Sequence, residues 1–224
     1  MDQSPRHALL VLAGRDQLVF HELHREPLYV HGLRALAAAA GEVVISADPN
    51  DVPRVRADVR RLRLEAEVVG GDGWWDAVRR DPRGGLVVHD ALCPLVDGDF
   101  VGSVLQRADA RPTLSYVAIQ AVTDTLKAVV DGQIQGTIDR ERVATVTSPA
   151  VIAAEVLYGL ADPPPVHAFA ELVGWLRGRG EVELVRAPSL GRRIEDAPSV
   201  RMLESLDEVG HRVRAVRSVA EDRA

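Results

Sequence analysis

Short apolar runs separated by amphipathic stretches set the pattern of this chain. Residues 7–12 (HALLVL) are apolar throughout, as expected of a strand buried on both faces of a parallel sheet. Residues 27–40 (PLYVHGLRALAAAA) carry helical spacing, with Pro27 at the first turn and Gly41 just past the end. Residues 42–46 (EVVIS) read as a second buried strand. In residues 51–62, Val52, Val55 and Val59 recur at helical intervals opposite several arginines. Residues 67–69 predict a third strand ending at Gly70-Gly71-Asp72-Gly73, and residues 74–80 a helix. Residues 86–88 predict a fourth strand, with His89-Asp90 at its carboxyl end. A helix over 100–108 and a fifth strand over 114–121 follow. Residues 149–159 read as a helix opened by Pro149 and closed by Gly159. Pro163-Pro164-Pro165 makes a stiff break before a helix over 166–176, a strand over 181–185 and a closing helix over 198–209. Residues 212–224 read as a charged tail that frays.

Apolar strands alternating with helices predict an α/β fold, a mostly parallel sheet with helices on both faces. Ligands on such sheets bind beyond the carboxyl ends of the strands. Three loops of unusual polarity fall at that edge: residues 13–16, 70–73 and 89–93. One stretch departs from the alternation. Asp131-Gly132 lies between Leu126–Val130 and Gln133–Ile138, and an Asp-Gly pair readily takes the positive φ angles of a type I′ hairpin turn. Polar motifs stand at both feet of this hairpin, Thr123-Asp124-Thr125-Leu126-Lys127 and Thr137-Ile138-Asp139-Arg140. They suit an arm reaching toward a ligand or a second subunit, or an ordinary surface hairpin.

Composition narrows the field of functions. The chain has 224 residues, 46% hydrophobic and 27% charged, the profile of a soluble globular protein. Its net charge of −6 argues against a broad nucleic-acid-binding face, while a local arginine cluster still suits a small anion. Of the 27 basic residues only Lys127 is a lysine. Cys93 is the sole cysteine, so a disulfide within the chain and a thiolate zinc site are both excluded. No signal-peptide pattern opens the chain, and no apolar run approaches the roughly 18 residues of a membrane span. The cytoplasm is therefore the expected compartment.

The candidate chemistry is concentrated in a few places. Neither a G-x-G-x-x-G fingerprint nor a P-loop is present. Backbone amides of residues 13–16 would still suit a phosphate, with Arg15 as counter-charge, or the segment is a plain strand–helix connection. His21, His24 and His31 lack the spacing of a zinc helix. Asp90 suits a sugar hydroxyl, a divalent cation such as Mg²⁺, or the capping of the next turn. Arg140 and Arg193 suit bidentate grips on a phosphate, or solvation at the surface.

In their order, these motifs resemble the 2-C-methyl-D-erythritol 4-phosphate cytidylyltransferase family of non-mevalonate isoprenoid biosynthesis, over nearly the whole chain. His89-Asp90-Ala91-Leu92-Cys93-Pro94 looks like the family's His-Asp-Ala-Ala-Arg-Pro. Val122 and the four residues through Leu126 to Lys127 look like Val-x-Asp-Thr-Leu-Lys, and Thr137-Ile138-Asp139-Arg140 like Thr-x-Asp-Arg. Ser148-Pro149-Ala150 falls on Thr-Pro-Gln, Gly70-Gly71 on Gly-Gly and Arg193-Ile194 on Lys-Ile/Val. The resemblance implies a single domain of the Rossmann-like nucleotidyltransferase type, with residues 123–148 as a β-arm that crosses a homodimer. It implies transfer of CMP from CTP to a sugar-alcohol phosphate, methylerythritol phosphate, with Mg²⁺ and release of pyrophosphate. On that basis Ala13, Gly14, Gly71 and Asp72 are expected at the nucleotide, and Arg15 and Arg193 at the reacting phosphates. Asp90, Thr125, Arg140, Ser148 and Arg193 are expected at the acceptor, with Asp90 also on the metal.

The chain departs from the family mainly on the CTP side. The first loop is shortened to Ala13-Gly14-Arg15-Asp16, and Leu18 stands where a lysine belongs. Trp74 and Ala77 replace an arginine and a base-reading serine, and Cys93 replaces an arginine. Leucine supplies no cation, and losing such a donor typically costs about 10²–10³ in rate. The sequence therefore admits three functions: a working cytidylyltransferase, a non-catalytic homologue that binds a sugar phosphate or nucleotide, and a partner whose arm completes the site of an active relative in a heterodimer.

Overall fold

The first apolar run becomes β1 (His7–Val11), and its side chains alternate between two cores: Ala8 and Leu10 on one side, Leu9 and Val11 on the other. The computed structural model describes residues 6–221, with side chains through Val209. After β1 a 3-10 turn (Asp16–Phe20) and a two-residue hairpin, β2 (Glu22–Leu23) and β3 (Glu26–Pro27), lead into α1 (Leu28–Ala40). The alternation continues through β4 (Val43–Ala47), α2 (Val52–Arg61), β5 (Glu67–Gly70), α3 (Trp75–Arg80), β6 (Leu86–Asp90) and α4 (Gly98–Ala110). Then come β7 (Ser115–Ala121), the arm strands β8 (Leu126–Val130) and β9 (Gln133–Ile138), and β10 (Ala144–Ile152). α5 (Ala154–Leu157), α6 (Phe169–Arg177), β11 (Val182–Arg186) and α7 (Ala197–Glu221) close the chain.

The main sheet has seven strands in the order β11-β7-β10-β6-β1-β4-β5. β1 runs parallel to β4 and β6, β4 to β5, and β7 to β11, while β10 runs antiparallel to both neighbours. α1, α2 and α4 pack one face, and α3, α5 and α6 the other. This is the α/β fold expected from the alternation, with the carboxyl ends of β1, β4, β5, β6 and β7 along one edge.

Two expectations are corrected. Residues 149–159 are not one helix: Pro149 to Ile152 extend β10, and only Ala154–Leu157 is helical. Ala150, Val151 and Ile152 are buried between β6 and β7, where extended side chains fill both cores. Pro149, reached through a cis peptide, falls where the ladder to β7 shifts register between Val146 and Ala150, so its missing N–H breaks no regular pair. The closing helix also runs past its expected end at residue 209, through Glu221. The last three residues of the expected charged tail lie outside the described residues.

The hairpin takes the expected form. Asp131 (φ 51°) and Gly132 (φ 77°) turn it, and Lys127 donates to Thr137 Oγ1 across the strands at 2.7 Å. Among the described residues no helix is long and apolar enough to cross a membrane.

Candidate functional site

Asp90 ends β6, the strand between β10 and β1, and only 1% of it is exposed. Its Oδ1 accepts from Arg15 Nε at 2.9 Å and from the Leu92 amide at 3.0 Å, and its Oδ2 from Arg193 Nε at 3.0 Å. Its own amide donates to Ser148 Oγ at 2.7 Å. Arg15 is brought there by the turn after β1: the Arg15 amide donates to Leu12 O at 3.1 Å, and Gly14 takes φ +73°, which glycine adopts without strain. Arg193 is brought by a loop whose Ile194 amide donates to Leu92 O at 2.7 Å. Four of the expected residues thus meet: Arg15, Asp90, Ser148 and Arg193.

The residues expected at a nucleotide sit at the same edge but are spent within the chain. The Ala13 amide donates to Ser46 O at 2.9 Å, and the Gly14 amide faces the Asp48 carboxylate at 3.3 Å. An acidic side chain therefore already occupies the Gly14 amide. Gly71 is held on both sides, its amide on Ala47 O and its carbonyl accepting from Ser46 Oγ at 2.7 Å. Asp72 Oδ1 lies 3.0 Å from His167 Nε2, and Arg15 Nη1 donates to the His167 carbonyl at 2.5 Å. His167 thereby straps the first loop to the Asp72 turn. Nothing in the sequence singled it out beyond the stiff prolines before it. Leu18 packs its side chain on the core.

Thr125 and Arg140 are not gathered with the others. Both are exposed on the arm, and Arg140 Nη1 donates to its own Thr123 carbonyl at 2.8 Å. A cavity of about 220 Å³ opens beside Arg193, walled by Thr123, Thr145, Thr147, Arg192 and Ser199, with the carboxylates Asp124 and Glu195 also on its lining.

Asp90 does not fit a divalent cation in this arrangement. Three donors engage its two oxygens, two of them full positive charges, and the carboxylate is sealed from solvent. Mg²⁺ needs short oxygen ligands and keeps several waters, and two guanidinium groups at 3 Å repel it. Among the described residues no group of three or more His, Cys, Asp or Glu side chains could hold a metal ion.

Behind Asp90, His89 is fully buried with neither ring nitrogen hydrogen-bonded, and burial pushes its pKa down to about 4. Room for the ring comes from Gly32: a Cβ there would stand 2.9 Å from His89 Cδ2. Gly32→Ala is therefore expected to lose about 1–3 kcal/mol in urea unfolding through overpacking; a stability equal to that of the wild type would show that the ring can move aside. Cys93 is buried, with Sγ 3.3 Å from Thr147 Oγ1, and burial pushes its thiol up to about 12, so it is no nucleophile at neutral pH.

A seven-stranded, mostly parallel sheet with its polar loops gathered at one edge defines a protein of the nucleotidyltransferase fold. The 4-diphosphocytidyl-2C-methyl-D-erythritol synthase of Anaerococcus prevotii superposes with a TM-score of 0.72 over 92% of this chain and 97% of its own, at 14% identity. The sequence profile of 2-C-methyl-D-erythritol 4-phosphate cytidylyltransferase matches residues 12–162. The enzyme of that name from Caldicellulosiruptor saccharolyticus is 31% identical over 49% of this chain and 48% of its own length. The one from Saccharopolyspora erythraea is 34% identical over 51% and 56%. The matches thus span about half the length of these curated relatives. This chain belongs to the 2-C-methyl-D-erythritol 4-phosphate cytidylyltransferase family.

Proposed function

We propose that this chain binds a sugar-alcohol phosphate of the methylerythritol phosphate type in the cavity beside Arg193, and that it has lost rapid CMP transfer from CTP. The carrying observation is that Arg15, the remaining cation of the first loop, is buried on Asp90 and the His167 carbonyl. A triphosphate at that edge would meet the Asp48 carboxylate and a leucine at position 18 instead of free donors. The acceptor side retains Arg193, Thr147 and Ser148 with their hydrogen bonds in place. The exposed apolar side chains of the arm, Val129, Val130, Ile134 and Ile138, suit a subunit contact, in a homodimer or with an active relative.

A second function is favoured by the survival of Gly14 and Gly71, both with positive φ, at the edge where the family binds its nucleotide. In it the chain is a working cytidylyltransferase: an acceptor phosphate oxygen attacks the α-phosphorus of CTP, the bond to the bridging oxygen breaks, and pyrophosphate leaves. Arg15 must then leave Asp90 to meet the triphosphate, and any Mg²⁺ must take its place. Pyrophosphate release from CTP, methylerythritol phosphate and Mg²⁺ decides between the two. The expected result is turnover at least about 10²-fold below ordinary enzyme rates of 1–10³ s⁻¹, with calorimetric binding of the acceptor alone. Turnover in the ordinary range would overturn the binding-only function, and absence of acceptor binding would remove the cavity assignment.

A further inference from the structure

The closing helix α7 carries an exposed apolar stripe. One face of its first half is docked on the domain, where Val200, Leu203 and Asp207 are buried. The His24 amide donates to Glu204 Oε1 at 2.8 Å, and His24 Nε2 lies 3.1 Å from Asp207 Oδ2. The turn between β2 and β3 thereby fixes how the helix is rotated. Roughly a third of a turn round the helix axis, Met202, Leu206 and Val209 are 47%, 45% and 56% exposed. Met202 borders the cavity beside Arg193, whereas Leu206 and Val209 do not. Steps of four and three residues are those of a coiled-coil seam. The sequence continues them without a break at Val213, Val216 and Ala220, inside the same 25-residue helix.

The pattern also says what covers the stripe. Its steps from position 202 to position 220 read the same in both directions about position 211. A two-fold contact between identical surfaces requires such self-complementarity: an antiparallel copy brings positions 220, 216 and 213 opposite 202, 206 and 209. Charge selects the same arrangement. The first half of α7 carries Glu204, Asp207 and Glu208 against Arg201, and the second half Arg212, Arg214 and Arg217 against Glu221. Antiparallel pairing sets the acidic half of one helix beside the basic half of the other, whereas parallel pairing sets like beside like. The second half also gains from a partner. It contains Gly210 and the β-branched Val213, Val216 and Val219, and a helical stretch of that length is marginal in water without packing.

We propose that α7 pairs antiparallel with α7 of a second copy of this chain, along the seam that runs from Met202 through Leu206 and Val209, in a contact separate from the arm. The stripe spans fewer than three heptads, so the pairing depends on concentration. The inference stands apart from the acceptor cavity and from whether CTP is turned over.

Sedimentation equilibrium of the full chain over a concentration series tests it, in a background that removes any contact through the arm, Val130→Glu with Ile134→Glu. That variant is expected to reach the mass of a dimer. Adding Leu206→Glu and Val209→Glu, both at exposed positions, is expected to weaken association about 10²-fold or more, with an unchanged melting temperature in the dilute monomer. Introduced cysteines read the orientation, since the chain's own Cys93 is buried. In the same background Leu206→Cys with Val216→Cys is expected to give a disulfide-linked dimer with diamide as oxidant, and Leu206→Cys alone is not. A monomer at every concentration overturns the proposal, and so does a dimer indifferent to the two helix substitutions. A linked dimer from Leu206→Cys alone marks a parallel pair and overturns it as well, as does the absence of any link in the double variant.

Discussion

Arg15→Ala is expected to destabilise the chain by roughly 3–5 kcal/mol, the usual cost of removing one partner from a buried ion pair. The side chain of Arg15 is 4% exposed and that of Asp90 1% exposed, so no water replaces the guanidinium. Arg193 stays on Oδ2 and the Leu92 amide on Oδ1, which places the effect toward the lower end of that range. The His167 carbonyl also loses its donor, and the strap between the first loop and the Asp72 turn loosens. Urea unfolding of Arg15→Ala, Asp90→Asn and the double variant measures the coupling. Buried pairs in contact normally couple by 0.5–3 kcal/mol, on the order of the values expected here. Strictly additive losses would mean that Arg15 and Asp90 do not depend on each other, and the closed arrangement of the first loop would then be wrong. The same variants bear on function: with Arg15 gone, Asp90 regains a free lone pair, and a rise in Mg²⁺ affinity is the accompanying expectation.

The second large effect is acid destabilisation through His89. Burial holds its pKa near 4 in the folded chain, against an ordinary 6.5 in the unfolded one. Between those values the unfolded chain binds the proton and the folded chain does not. The stability from keeping this imidazole neutral is therefore fully present above pH 6.5 and falls away as the pH drops toward 4. The shift corresponds to roughly 3 kcal/mol, at 1.36 kcal/mol per pKa unit. The nearby Asp90 charge and the Cys93 backbone pull in the other direction, but the cost of burial outweighs both. Urea midpoints from pH 7 to 4 should fall steeply for the wild type. His89→Met removes the titrating ring and should flatten that fall. A slope that survives the substitution would assign the acid sensitivity to other groups.

Much of this architecture was legible in the residues. The apolar runs and helical spacings located the parallel strands and most helices, because a strand with two buried faces has no polar position to spare. Asp131-Gly132 located the arm by its backbone preference alone. Pro149 misled, since a proline followed by Ala-Val-Ile satisfies a helix start as well as a bulged strand, and only neighbours β6 and β7 on either side select the strand. Leu18 announced a missing cation, and the structure adds that the leucine packs on the core and folds into a 3-10 turn.

Local chemistry thus sufficed for the class of fold, the edge where the polar loops gather, the hairpin and the family, because each depends on short-range periodicity or on motifs a few residues long. The destination of Arg15 depended on a carboxylate 75 positions away, and the strap by His167 on contacts 95 and 152 positions away. An arginine has the same formula whether it waits for a triphosphate or lies buried on an aspartate. Which of the two it does is set by the distance and burial of its partners, and those exist only once the sheet has brought the loops together.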